Sequence, residues 1–84
     1  MLLQSHRLDS ASKELKEAIQ KIASHDVFKE YDLALRACSK EKAGFCFYDV
    51  DKNVPVIPKE VTAELISEES GCKVTQEGMI FWLS

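Results

Sequence analysis

The side chains best able to hold a metal or attack a substrate are three cysteines and two histidines, spread along 84 residues. They are Cys38, Cys46, Cys72, His6 and His25. A structural zinc site generally has closely paired ligands, such as two cysteines separated by two residues, and the sequence contains no such pair. An odd number of widely spaced cysteines is typical of free thiols in a reducing compartment. We therefore expect no metal, no cofactor and a cytoplasmic location.

A second set of candidate ligands lies in FYDVDKNVPVIPKE, residues 47–60. Oxygen-bearing side chains fill the first, third, fifth and twelfth places of a loop: Asp49, Asp51, Asn53 and Glu60. This spacing resembles the loop of an EF-hand, and the resemblance implies a calcium site between two helices. The sixth place, which needs glycine for a left-handed turn, is Val54. We therefore predict a strand, a turn and a strand here, with a degenerate EF-hand-like module that does not bind calcium as an alternative.

Neither the motifs nor the charge of the chain favours catalysis or nucleic-acid binding. The sequence has no phosphate-binding glycine loop, nucleophile elbow or H-E-x-x-H pattern, so we expect no enzyme activity. The net charge is −3, which opposes binding to phosphates. A helix before a terminal hairpin is reminiscent of a winged helix, but that helix is mostly acidic. We keep a winged-helix-like nucleic-acid-binding protein as an alternative, disfavour nucleic acid as a partner, and expect no membrane partner because no apolar run could span a bilayer.

Three segments have the periodicity of helices that bury one face. They are residues 8–24 (LDSASKELKEAIQKIAS), 26–44 (DVFKEYDLALRACSKEKAG) and 58–70 (PKEVTAELISEES). The residues expected to begin these helices are Asp9 or Ser10, Asp26 and Pro58, in chain order. Gly44 and Gly71 can each adopt the left-handed conformation that ends a helix, and we expect them to end the second and third helices.

Two further segments are rich in aromatic and β-branched residues, which favours strands. FCFYDV, residues 45–50, precedes turn residues and a return strand at 54–57, where Pro55 requires a sheet edge. CKVTQEGMIFWLS, residues 72–84, predicts a hairpin that turns at Glu77–Gly78. The predicted order is ααββαββ. We expect an α+β fold in a single domain, residues 1–84, with the helices packed on one face of a small, mainly antiparallel sheet.

The two strands FCFY and MIFWL do not alternate between apolar and polar residues. A strand with one face in water should alternate, so continuous apolar character predicts cover on both faces. Three short helices can cover only one face of a small sheet. The residues of the other face would then form an exposed apolar patch of the kind that binds a partner. Its candidate binding residues are Tyr48, Trp82, Ile80 and Cys46.

These features together indicate a small, non-enzymatic protein-binding module, such as a regulator, an inhibitor or an adaptor. Tyr48 and Trp82 are the expected anchors, because large amphipathic rings contribute strongly to binding energy at interfaces. An alternative is that both rings pack on the rest of the chain and bind nothing. The expected partner is another protein or a second copy of the same chain, which includes a possible homodimer.

Overall fold

The computed structural model describes residues 2–26, 28 and 30–84. Six strands form one sheet: β1 (Leu2–Leu3), β2 (Asp32–Cys38), β3 (Ala43–Asp49), β4 (Val54–Val56), β5 (Val74–Glu77) and β6 (Ile80–Leu83). The helices are a 3₁₀ helix (Ser5–Ser10), α1 (Lys13–Ala23) and α2 (Ala63–Ser70). Helices and strands together confirm the predicted α+β class.

The sheet has the strand order β1-β2-β3-β6-β5, and β4 pairs with β3 outside this path. Among the strands of the described residues, β1 and β2 run parallel and the other pairs are antiparallel. β6 pairs with residues 43–45 of β3 and β4 pairs with residues 47–49. Strand β3 is therefore central, and the sheet is mainly antiparallel as predicted.

The first predicted helix exists, but it begins later than its periodicity indicates. Leu8 belongs to the 3₁₀ helix, and α1 starts at Lys13 with Ser12 as its N-cap. The Ser12 hydroxyl oxygen accepts a hydrogen bond from the Leu15 N–H at 3.3 Å. The expected caps, Asp9 and Ser10, lie inside the 3₁₀ helix. The predicted apolar stripe is nevertheless buried: Leu8, Ala11, Leu15, Ala18, Ile19 and Ile22.

The second predicted helix, residues 26–44, is the main error of the sequence analysis. Residues 32–38 form strand β2, and Val27 and Lys29 lie outside the described residues. Leu33 and Leu35 are buried two residues apart, which is the period of a strand. Leucine and alanine favour helices locally, but pairing with β3 along the whole segment overrides that preference. The observed order is therefore βαβββαββ rather than ααββαββ.

The 47–60 segment forms the predicted strand, turn and edge strand. β3 and β4 flank the turn at 50–53, where an EF-hand would have helices. Two of the oxygen atoms counted as calcium ligands serve the turn itself. The Asp49 Oδ1 accepts from the Lys52 N–H at 3.2 Å, and the Asn53 Oδ1 accepts from the Tyr48 hydroxyl at 2.6 Å. The hairpin interpretation of this segment is confirmed.

The third helix and the last hairpin also form, with shifted ends. α2 begins after its N-cap Thr62 rather than at Pro58, and it ends at Gly71, which has a φ of 71°. β5 and β6 are joined by a tight turn at 78–79, one residue later than predicted. Neither helix of the described residues has the length and apolar character that crossing a bilayer would require.

The core lies between the helices and one face of the sheet. Its largest fully buried side chains include Phe28, Phe45, Phe47, Phe81, Ile19, Ile22, Leu33, Leu35, Ile66 and Leu83. The Phe45 ring stacks on Phe81 with centroids 5.9 Å apart, and Phe47 meets Phe81 edge to face at the same distance. The 3₁₀ helix, α1 and α2 all place their buried residues in this one cluster. The helices therefore pack on a single face of the sheet, as predicted.

Candidate interaction surface on the open face of the sheet

The opposite face of the sheet, here called the open face, has no helix over it in the described part of the chain. Side chains of a strand alternate between the two faces, and directly paired residues share a face. Since Phe45 and Phe47 point into the core, Cys46 and Tyr48 point to the open face. The register of the sheet adds Leu3, Asp32, Ala34, Ala37, Gly44, Pro55, Thr75, Glu77, Ile80 and Trp82 to it.

The four candidate residues named from the sequence all lie on the open face. Tyr48, Ile80 and Trp82 are partly exposed, whereas Cys46 is only 4% exposed. Cys46 and its strand neighbour Ala34 are buried but stand outside the main core cluster. Cys46 therefore forms part of the floor of the open face, and the three larger side chains supply the area that a partner could touch.

Trp82 is held in place by residues that the sequence analysis did not connect with it. It pairs with Gly44, and a Cβ atom added to Gly44 would lie 2.6 Å from the Trp82 ring. The glycine thus leaves the space that the indole occupies. The Lys42 Nζ lies over the ring, 4.8 Å from its centroid, in a cation–π contact. Gly44 was expected to end a helix; it lies instead within β3 beneath Trp82.

Tyr48 is fixed at the other end of the open face. Its hydroxyl donates to Asn53 Oδ1, and its ring lies opposite Pro55 of β4. Asn53 has a φ of 57°, a left-handed conformation that asparagine tolerates better than most residues. One hydrogen bond thus joins the β3–β4 turn to the aromatic ring. This hydrogen bond restricts the orientation of the partly exposed ring.

A shallow apolar pocket lies beside Trp82. Its lining residues are Ala37, Cys38, Ser39, Lys42 and Trp82. The tight turn between β2 and β3 shapes one wall, because Ser39 Oγ accepts from the Lys42 N–H at 3.2 Å. The pocket can receive one apolar side chain of a partner against the edge of the indole.

Lys42 lines this pocket, and Arg36 directly precedes the lining residue Ala37 in β2, although the whole chain is acidic. Burial raises the pKa of the Cys46 thiol, and the Arg36 guanidinium opposes part of that rise. Burial likewise raises the pKa of the Cys38 thiol, against the opposing charge of Arg7. The Lys42 ammonium lies over Trp82, while Glu41 is the one carboxylate in the same β2–β3 turn. The two thiols therefore stay protonated at neutral pH, and Lys42 is the cationic side chain that lines the pocket.

Other exposed apolar side chains lie away from the pocket. Val50, Val54 and Ile57 are exposed around the β3–β4 turn, and Met79 is 45% exposed in the β5–β6 turn. Met79 was predicted to lie within the strand MIFWL, but the residue lies in the turn. Its neighbour Ile80 extends the apolar surface of the open face toward this end of the hairpin.

Among residues 2–26, 28 and 30–84, no three His, Cys, Asp or Glu side chains come together in a group that could hold a metal ion.

No family model, no curated protein and no solved structure matches the chain. The surface must therefore be interpreted from its own geometry.

Part of this surface could not be found from the sequence. The missing alternation in FCFY and MIFWL was a usable signal for the aromatic residues. The contributions of Ala37 and Arg36 were hidden, because their segment has the local pattern of a helix. The pairing of Gly44 with Trp82 depends on strand register, which a segment-by-segment analysis does not give.

Proposed function

We propose that this chain is a small, non-enzymatic, cytoplasmic protein-binding module that docks another protein on the open face of its sheet. The observation that carries the proposal is the placement of both helices on one face, while Tyr48, Ile80 and Trp82 remain partly exposed on the other. Large rings of this kind dominate binding energy when a partner removes them from water.

The pocket beside Trp82 suggests the chemistry of the partner. An apolar floor that Lys42 lines, with Arg36 next to the lining residue Ala37 in β2, suits an apolar side chain flanked by carboxylates. Arg36 and Lys42 would pair with those carboxylates and speed the encounter at low salt. The open face would then act by binding and covering a segment of its partner, as an inhibitor or an adaptor does.

A nucleic-acid strand is a less suitable occupant of the same face. Stacking of a base needs a free ring face, but Gly44 lies against the Trp82 ring and Lys42 lies over it. The winged-helix alternative would place the helix before the terminal hairpin against DNA, and that helix, α2, contains Glu64, Glu68 and Glu69 but no lysine or arginine. A titration with a single-stranded oligonucleotide should accordingly show no saturable binding.

The double variant Tyr48→Ala/Trp82→Ala tests the proposal. Wild-type protein would first capture its partner from a lysate of the native cell, and the purified partner would then be titrated by calorimetry. We expect the double variant to bind on the order of 100-fold more weakly, because each anchor contributes about 1–2 kcal/mol or more. Its helical circular dichroism should be unchanged, since both rings lie on the face away from the helices.

The matched control is Val50→Ala/Val54→Ala, which also removes exposed apolar area but at the β3–β4 turn. This control should bind the partner like the wild type. Equal affinity of the wild type and the Tyr48/Trp82 variant would contradict the proposal. So would a loss of affinity confined to the control, or saturable binding of the oligonucleotide.

A further inference from the structure

Strand β5 is an open edge of the sheet. It is the last strand in the order β1-β2-β3-β6-β5, and in the described residues no other strand lies beyond it. The β1 strand at the opposite end has only two residues, and β4 contains Pro55, which cannot donate a backbone hydrogen bond. β5 is therefore the edge best able to accept another strand.

The hydrogen bonds between β5 and β6 show which backbone groups of β5 point outward. Lys73 and Ser84 exchange both of their N–H···O bonds, at 3.0 and 2.9 Å. In an antiparallel ladder such pairs alternate, so Thr75 and Glu77 also direct their backbone groups toward β6. The N–H and C=O groups of Val74 and Gln76 consequently point away from the sheet.

We propose that two copies of this chain associate by pairing their β5 strands antiparallel about a twofold axis at Thr75. The outward backbone groups select this register, because it alone places Val74 of each copy opposite Gln76 of the other. The two residues can then exchange both N–H···O bonds, which gives four bonds across the axis. A shift by one residue would set outward groups against groups already bonded to β6.

The same register makes the side chains of the edge complementary. Lys73 of each copy lies opposite Glu77 of the other, and the two Thr75 residues meet at the axis. These residues are all exposed and share the open face, since Thr75 pairs with Trp82. Opposite charges directly across two strands stabilise the pair, and two such pairs form by symmetry.

Other charges oppose the association and set its strength. Each copy carries a net charge of −3, and the axis places both α2 helices, with exposed Glu64 and Glu68, on the same side of the joined sheet. A four-residue strand also makes a small contact. We therefore expect a reversible dimer that forms with increasing concentration, and whose open faces join into one surface. The association does not depend on the partner protein proposed above.

A charge exchange at the edge tests the register. Sedimentation velocity over a concentration series should show wild-type protein shifting from 9.5 kDa toward twice that mass. Lys73→Glu or Glu77→Lys alone should weaken dimerisation on the order of tenfold, because both cross-strand pairs become repulsive. The variant with both changes restores opposite charges and should recover most of the wild-type affinity.

Backbone changes test the strand pairing itself. Gln76→Pro removes an outward N–H and leaves the β5–β6 ladder intact, so it should abolish the dimer while Gln76→Ala preserves it. Amide exchange of Val74 and Gln76 should slow as wild-type concentration rises. Three results would each overturn the proposal. The protein could stay monomeric at every concentration, or the variant with both charge changes could fail to recover dimerisation. The third is an amide hydrogen-exchange rate of Val74 and Gln76 that does not change with concentration. Partner binding by the open face would survive any of these results, so the two proposals can fail separately.

Discussion

The Trp82 ring is fixed by its contacts with the chain and is still partly exposed. It packs on Gly44 and beneath Lys42, which fixes its orientation, and part of it still lies exposed beside the apolar pocket. In the proposed docking, a ring that is already ordered would lose little side-chain entropy when a partner covers it. The arrangement depends on the missing side chain of Gly44 as much as on the ring itself.

The variant Gly44→Ala tests this packing. The new methyl group would come within 2.6 Å of the indole, so the ring must swing outward and lose its contact with Lys42. We expect a loss of about 1 kcal/mol in the free energy of unfolding, from displaced packing and a lost cation–π contact. Urea denaturation measures the loss, and the fluorescence of Trp82, the single tryptophan, should shift to the red.

Thr75→Ala is the control for Gly44→Ala, because Thr75 pairs with the same tryptophan but is exposed at the edge. It should leave the emission maximum unchanged. Unaltered emission in Gly44→Ala would show that the ring does not rest on Gly44 in solution.

At the scale of secondary structure, α1 shows how a helix can be recognised and still be misplaced. Its buried stripe follows the helical period, and the period continues backward through Ala11 and Leu8. Ser12 interrupts the helix because its side chain caps the amide of Leu15 and its backbone is extended. Periodicity locates the buried face, whereas the cap decides where the helix begins.

Ser12→Ala should therefore destabilise the protein by about 1 kcal/mol, since the Leu15 N–H loses its side-chain acceptor. Thermal and urea unfolding measure this change. Ser12→Asp is the matched control, because aspartate also caps helices and should retain most of the stability. If Ser12→Ala unfolded at the same midpoint as the wild type, the helix would not depend on this cap.

The strands divide into those that local sequence predicts and one that it does not. β3, β4 and the β5–β6 hairpin carry aromatic residues, turn residues or proline at informative positions. In contrast, β2 contains leucine, alanine and arginine, which prefer helices when no neighbour is considered. Its strand state comes from pairing with β3 on one side and β1 on the other, and Ala37 follows a register shift that local sequence does not show.

For the whole molecule, these elements form two layers, the helices and the sheet. The described residues supply no third layer over the open face of the sheet. Sixteen buried residues form the cluster between helices and sheet, and the second face of the same sheet receives no comparable cover from the described residues. The sequence predicted this excess of apolar strand surface from FCFY and MIFWL. It could not predict that Lys42 would lie over Trp82 at one end of that face.

The position of the contact can be measured directly with a photo-reactive amino acid. A benzoylphenylalanine at Ile80, on the open face, is compared with one at Gln20, an exposed residue of α1. In cells that express the protein, irradiation should link the Ile80 form to a discrete partner of another mass and leave the Gln20 form unlinked. Crosslinks from Gln20 alone, or none from Ile80, would contradict docking at the open face.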